Sequence, residues 1–171
     1  MEKWDIFDEK RQSLNKTHNR QDKMIIGEYH IVVDIWTVNI NNEILLTLRH
    51  PDKKDYPNLW ENTGGSALAG ETSKAGAIRE LYEETGIIAN ENDLVFLGTK
   101  KEKTAFVDTY IVRKNCKISE LTMQEGETVG AQWVTLDKLD EMIKSGTIAL
   151  PIAERLAPLR KVFVDFLFSL L

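Results

Sequence analysis

The sequence predicts an α/β (α+β) fold, a single domain in which a central mixed sheet carries helices on both faces. Three observations predict it. Tyr29 to Val38 is rich in β-formers and apolar on both sides, with Ile31, Val33 and Ile35 against Val32, Trp36 and Val38, as a central strand requires. One strongly patterned helical stretch, Gly65 to Ile87, interrupts a series of strand-like runs. The chain then closes on helical segments from Leu136 onward. Its 171 residues, 42% of them hydrophobic, suffice for one well-buried domain over 1–171 and not for two.

Taken in order, residues 1–28 form a polar N-terminal extension whose apolar cluster is Trp4, Ile6 and Phe7. Trp4–Phe7 reads as a short strand, and Met24–Ile26 as the return strand of a β-hairpin. After the central strand, Asn39–Asn42 supplies turn chemistry and Glu43–Arg49 a hairpin partner. His50–Thr63, with Pro51 and Pro57, reads as a loop. In the helical stretch, Thr72 or Ser73 caps the start and Gly86 ends it in the left-handed conformation. Ala75, Ile78 and Tyr82, with Leu81 beside them, give the stripe expected to dock on the sheet. Leu94–Leu97, Ala105–Val112 and Thr128–Val134 follow as strands, and Leu136–Lys144 as a short helix before Gly146. The C-terminal helix, within 150–171, starts near Ile152 and is kinked or split by Pro158.

A formal charge of −5 argues against a general nucleic-acid or anionic-membrane binder. The single cysteine, Cys116, excludes an intrachain disulfide framework and fits a reducing compartment. Charges interrupt any apolar run at the N-terminus, and the apolar tail from Val162 is too short to span a bilayer. A cytoplasmic location is expected, and the tail is a possible homodimer contact.

The chemistry concentrates in Arg79-Glu80-Leu81-Tyr82-Glu83-Glu84. At i, i+3 and i+4, Glu80, Glu83 and Glu84 project from one helix face, where like charges repel. They also crowd the C-terminal turn, which the macrodipole makes unfavourable for anions. A divalent cation with oxygen ligands offsets both penalties, and hard carboxylates suit Mg²⁺ or Mn²⁺. Glu71 is the fourth candidate ligand. Arg79, four residues before Glu83, is placed to pair with a carboxylate and fix its rotamer.

This stretch resembles the signature of the Nudix hydrolases at every fixed position. Gly65 is followed after five residues by Glu71; seven more lead to Arg79-Glu80, then Leu81, Glu83-Glu84, Gly86 and Ile87. The resemblance implies an α/β/α sandwich around a mixed sheet and metal-dependent hydrolysis of a diphosphate linkage in a nucleoside diphosphate attached to some group X. It implies metal ligation by the box glutamates, orientation by Arg79, and a general base that is either Glu127, preferred to Glu125, or a box glutamate such as Glu83 or Glu84. Arg49 and Arg20 are candidate phosphate contacts, with Lys53 and Lys54, and Trp60 a candidate stacking surface for a nucleobase.

The wider pattern, Trp4-Asp5, Gly27-Glu28-Tyr29-His30 and Trp60-Glu61-Asn62-Thr63, is similar to the isopentenyl-diphosphate isomerase branch. Gly64 stands where the isomerases carry their acid cysteine and Ser66 replaces a metal-binding histidine, so hydrolysis is the expected chemistry and isomerisation the alternative. A nucleotide-binding module without turnover is the other alternative, expected only where a box glutamate is lost; none is lost here.

Overall fold

The computed structural model describes residues 1–169; positions 170–171 of the expected C-terminal helix lie outside them. A two-stranded antiparallel hairpin, β1 (Lys3–Phe7) and β2 (Ser13–Asn19), precedes the main sheet. The sheet contains β3 (His30–Val38), β4 (Ile44–Arg49), β5 (Trp60–Glu61), β6 (Thr63–Ser66), β7 (Val95–Lys101), β8 (Ala105–Arg113) and β9 (Thr128–Val134). Helix α1 (Ser73–Thr85) lies between β6 and β7; α2 (Leu136–Ser145), α3 (Leu150–Leu156) and α4 (Arg160–Leu167) follow β9.

The N-terminal hairpin is present, but its return strand is Ser13–Asn19 and not Met24–Ile26. The Asp8 carboxylate accepts the Lys10 and Gln12 amides at 2.9 and 2.8 Å and closes the turn early. Ile26 stands 92% exposed. Ser13–Asn19 pairs through its backbone with little of its surface buried, so no apolar pattern marks it. Arg11, in that turn, donates to both Asp108 oxygens at 2.7 and 2.5 Å. Asp108 on β8 also accepts Thr99 Oγ1 at 2.6 Å and Ser73 Oγ at 2.5 Å, tying the hairpin, β7 and the start of α1 together.

β3 is the central strand. β8 runs parallel to it along all of its length, from His30 opposite Ala105 to Val38 opposite Arg113. Ile31, Val33 and Ile35 point into the core under α1, with Ala77, Leu81 and Phe106. Trp36 and Val38 join the opposite core, with Leu139, Met142, Ile152, Leu156 and Phe163 from the C-terminal helices. The expected hairpin of β3 with β4 meets at one pair only, Val38 with Ile44. Beyond it the strands diverge: β4 takes β9 and β5 as partners, whereas β3 takes β6.

His50–Thr63 is accordingly not all loop. Trp60–Glu61 pairs with β4 and Thr63–Ser66 with β3, so the chain crosses from one half of the sheet to the other at Asn62. Pro158 splits the last helix: α3 ends at Leu156, a 3₁₀ turn spans Ala157–Leu159, and α4 starts at Arg160. Phe163 and Leu167 of that tail are spent on the chain's own core. Among the described residues no helix is long and apolar enough to cross a membrane.

Arg11→Ala is expected to lower the unfolding free energy by about 1–3 kcal/mol in urea titration, since Asp108 is buried and keeps only its hydroxyl donors. Lys161→Ala, which removes an exposed i,i+4 pair with Asp165, is expected to produce no measurable change.

Candidate active site

Helix α1 starts and stops as its sequence requires. Thr72 Oγ1 accepts the Ala75 amide at 3.1 Å, and Gly86, at φ 74°, donates its N–H to Tyr82 O at 2.7 Å. The buried face differs from the expected stripe: it is Gly76, Ala77, Leu81, Glu84 and Thr85, while Tyr82 is 57% exposed. The helix approaches the chain after β6 so closely that a Cβ on Gly76 would stand 3.1 Å from Ala67 Cα. That approach rotates Glu84 inward and Tyr82 out.

Arg79 organises the acids. Its Nε donates to Glu71 Oε1 at 2.8 Å, and Nη2 to Glu71 Oε2 at 3.0 Å and Ser66 O at 2.9 Å. Nη1 donates to Glu80 Oε1 at 3.0 Å and Glu83 Oε2 at 2.9 Å. All of the guanidinium's N–H groups are thereby used. Glu71 is a correction to the expected ligand set. Both of its oxygens are taken by Arg79, one also by the Leu68 amide at 2.8 Å, and it does not line the acidic cavity. Burial raises its pKa, but the Arg79 and Leu68 donors outweigh that and hold it below the ordinary value.

Glu80, Glu83 and Glu84 line a cavity of 130 Å³ together with Arg20, Glu127 and the backbone of Gly64–Ser66. Glycine at 65 lets the Glu80 carboxylate lie directly against the backbone; a Cβ there would displace it. Glu84 is buried and its Oε2 has no partner. Burial, with Glu61 and Glu80 nearby, pushes its pKa well up, against a hydrogen bond from the Gly64 backbone. Glu80 is also raised by burial, in spite of Arg79. Glu127 reaches the cavity from the turn before β9 and is paired with Lys53, while Glu125 is exposed and outside it. Arg20 lies at the rim, held by Glu2 at 2.6 Å.

Of two expected substrate contacts, Arg49 lines the neighbouring cavity and Trp60 lines neither. Arg49 is committed within the protein, to Glu61 at 2.8 and 2.7 Å and to Asp55 O at 3.1 and 2.8 Å. Trp60 packs against the core under the C-terminal helices and lines neither this cavity nor its neighbour, because β5 turns its ring inward. That neighbour, of 220 Å³, shares Gly64–Ser66 with the acidic cavity and takes Arg49 together with Asp34, Glu61, Asn62 and Arg155. Sequence reasoning named Arg49 and passed over the other four as site residues. Asp34 did carry a signal, a carboxylate midway along a strand apolar on both faces, and Glu61-Asn62 stood in a segment taken for loop.

The chain matches the NUDIX domain family over residues 28–155. It is 35% identical over 147 residues to an uncharacterised Nudix hydrolase of Listeria monocytogenes, covering 85% of this chain and 87% of the relative. The chain belongs to the Nudix hydrolases. An NAD-capped RNA hydrolase of Haemophilus influenzae is 28% identical to this Nudix hydrolase, over 79% of this chain and 54% of the relative. In fold it is similar to a Deinococcus radiodurans protein, DR0079, with a TM-score of 0.71 and 22% identity over 86% of this chain and 92% of the other.

Among the described residues of this Nudix hydrolase no three His, Cys, Asp or Glu side chains converge, as they stand, in a cluster that could hold a metal ion. The donor set of the acidic cavity nevertheless suits a divalent cation, because it gathers hard oxygen donors and leaves a buried carboxylate oxygen without a partner.

Glu84→Gln tests this through stability. Glu84's raised pKa contributes stability that is present below the ordinary value of 4.5 and lost as pH rises through the elevated one. In chelator-treated protein, Glu84→Gln is therefore expected to be more stable than the parent at neutral pH by about 1–3 kcal/mol. The difference vanishes as pH falls toward 4.5. Added Mg²⁺ raises the urea midpoint of the parent and not of the variant.

Proposed function

We propose that this Nudix hydrolase cleaves a diphosphate linkage in a nucleoside diphosphate joined to a further group X, with Mg²⁺, or Mn²⁺, held by Glu80, Glu83 and Glu84. The observation that carries the reading is the buried Glu84 carboxylate, which lines a polar cavity together with Glu80 and Glu83 and has an oxygen with no protein partner. Such a cation supplies charge neutralisation on the diphosphate and a lowered pKa for the attacking water.

The chain's own residues do the rest. Arg79 fixes Glu80 and Glu83, so that the ligands are positioned before substrate arrives. Glu127 accepts the proton from water; it lies across the cavity from helix α1, and Lys53 holds its side chain in place. Arg20, at the rim and 59% exposed, is free to exchange Glu2 for an outer phosphate. A relative named for hydrolysing NAD-capped RNA supports the substrate class, since NAD carries a diphosphate between two nucleosides. X therefore ranges from phosphate or sugar to a second nucleoside or an RNA end.

The isomerase-like reading has less support. Gly64 occupies the place of the isomerase thiol, and a Cβ there would stand 2.7 Å from Val33 O, so no side chain fits without a shift of β3. Cys116 is half-buried beside Asn39 and Asn115, lines neither cavity, and burial pushes its thiol pKa up. A binding module without turnover has no missing box glutamate to argue for it.

Release of nucleoside monophosphate or phosphate from a panel of nucleoside diphosphate derivatives with Mg²⁺ is the test. Glu84→Gln is expected to reduce kcat by about 10²-fold or more, and Glu127→Gln by about 10²–10⁴-fold with KM nearly constant. Turnover in both parent and Glu84→Gln, or in neither, defeats the assignment.

A further inference from the structure

The second cavity holds a group of polar atoms that the protein leaves unanswered. Asp34 Oδ1 and both amide atoms of Asn62 are buried without a well-formed hydrogen bond, although the Asn62 amide lies near enough to Asp34 to favour its ionised form. Asp34 Oδ2 has a long contact from Thr109 Oγ1 at 3.4 Å, and Arg155 Nη1 stands 3.8 Å from Asp34 Oδ1. Arg155 itself is locked by Glu102 at 2.9 and 3.0 Å. Native interiors leave few such atoms unless something else satisfies them. The residues Asp34, Asn62 and Arg155 line one cavity of 220 Å³, room for about seven waters at ~30 Å³ each.

Position and wall chemistry narrow the occupant. The cavity abuts the acidic one along Gly64–Ser66, so what enters it is joined to the diphosphate held next door. Val32, Ala149, Pro151 and Ile152 give it apolar walls, which suit the faces of a flat ring. Of its charged and amide side chains, Arg49 and Glu61 are bonded to each other and Arg155 to Glu102, which leaves an acceptor on Asp34 and an acceptor–donor pair on Asn62. An exocyclic amine beside a ring nitrogen answers all three. One N–H goes to Asn62 Oδ1, the ring nitrogen accepts from Asn62 Nδ2, and the second N–H goes to Asp34 Oδ1.

We propose that Asp34 and Asn62 form a base-reading site selecting an amino-bearing nucleobase, adenine or cytosine, over its oxo counterpart. The inference rests on the hydrolase reading for the placement of the diphosphate. Asn62 can rotate its amide to suit an oxo base, but an ionised Asp34 has no donor to offer and meets the oxo oxygen with like polarity. Burial lifts the Asp34 pKa to about 6 against the pull of Arg155, which leaves it mostly ionised at neutral pH.

The test is calorimetric binding of adenosine, inosine, cytidine and uridine 5′-monophosphates at neutral pH, where no turnover is needed. Each amino nucleotide is expected to bind roughly tenfold or more tightly than its oxo partner. Asp34→Asn, whose amide can turn a donor inward, and Asn62→Ala are expected to bring that ratio close to one. Equal binding within each pair by the parent sinks the proposal without recourse to any variant. So does discrimination that survives both substitutions, or a response of the same variants to 2′-deoxy sugars in place of the base. Amino-over-oxo binding with no hydrolysis across the panel leaves this inference standing and removes the hydrolase reading. Hydrolysis indifferent to amino or oxo does the reverse.

Discussion

The guanidinium of Arg79 is the interaction on which the site depends. Three carboxylates within reach of one helix end repel one another and oppose the helix dipole. Arg79 answers Glu80 and Glu83 with one nitrogen while its other two bind Glu71 and the Ser66 carbonyl. It therefore fastens α1 to the end of β6 as well as neutralising part of the charge. Burial of its neighbours strengthens these pairs, and its own pKa is raised beyond any accessible pH. A lysine could not replace it, because a point charge has no planar fork to span four partners. What Arg79 cannot reach is Glu84, one residue further round the helix and turned into the protein.

The place of the cavities follows from a fault in the sheet. β3 and β4 share a single residue pair before each finds other neighbours, and the segment Trp60–Ser66 stitches the halves together. At the stitch, strand pairing passes from β4 to β3 within a few residues, and Asn62 is left with its side chain inside, near Asp34 but without a well-formed hydrogen bond. The glycines that follow let the backbone run close under Glu80 on one side and Val33 on the other. One short segment thus forms the wall between both cavities, which is why a diphosphate on one side and a ring on the other is a coherent arrangement.

Much of this was legible in the sequence, and the omissions have physical causes. β3, the capped helix, its glutamates and the break at Pro158 were legible because each rests on local chemistry: apolar runs, a capping hydroxyl, a left-handed glycine, a missing N–H. β2 and the β5–β6 crossing were not, because backbone pairing alone builds them and their side chains show no alternation. The helix face was misjudged for a related reason. Periodicity favours Tyr82 over Glu84 as the buried residue, and only the close approach at Gly76 reverses the choice. Trp60 was placed by nearness in sequence to the glycine loop, which does not determine where a side chain points, whereas Arg49 does line the second cavity, bonded there to Glu61.

Three buried carboxylates show how structural acids differ from working ones. Asp108, Asp34 and Glu84 are each less than a tenth exposed, so burial pushes every one of them toward the neutral form. Asp108 collects donors from Arg11, Ser73 and Thr99, and these more than offset its burial and hold its pKa below the ordinary value. It behaves as a rivet. Asp34 and Glu84 are as deeply buried with donors too few or too distant to offset it, keep an oxygen unpartnered, and are both raised. A fold under no further constraint would replace such groups by amides or apolar residues at a gain in stability. Both line cavities, and the two cavities touch. The cost of holding these charges falls in the region where, on the reading proposed above, a cation and a polar ring would supply the missing partners.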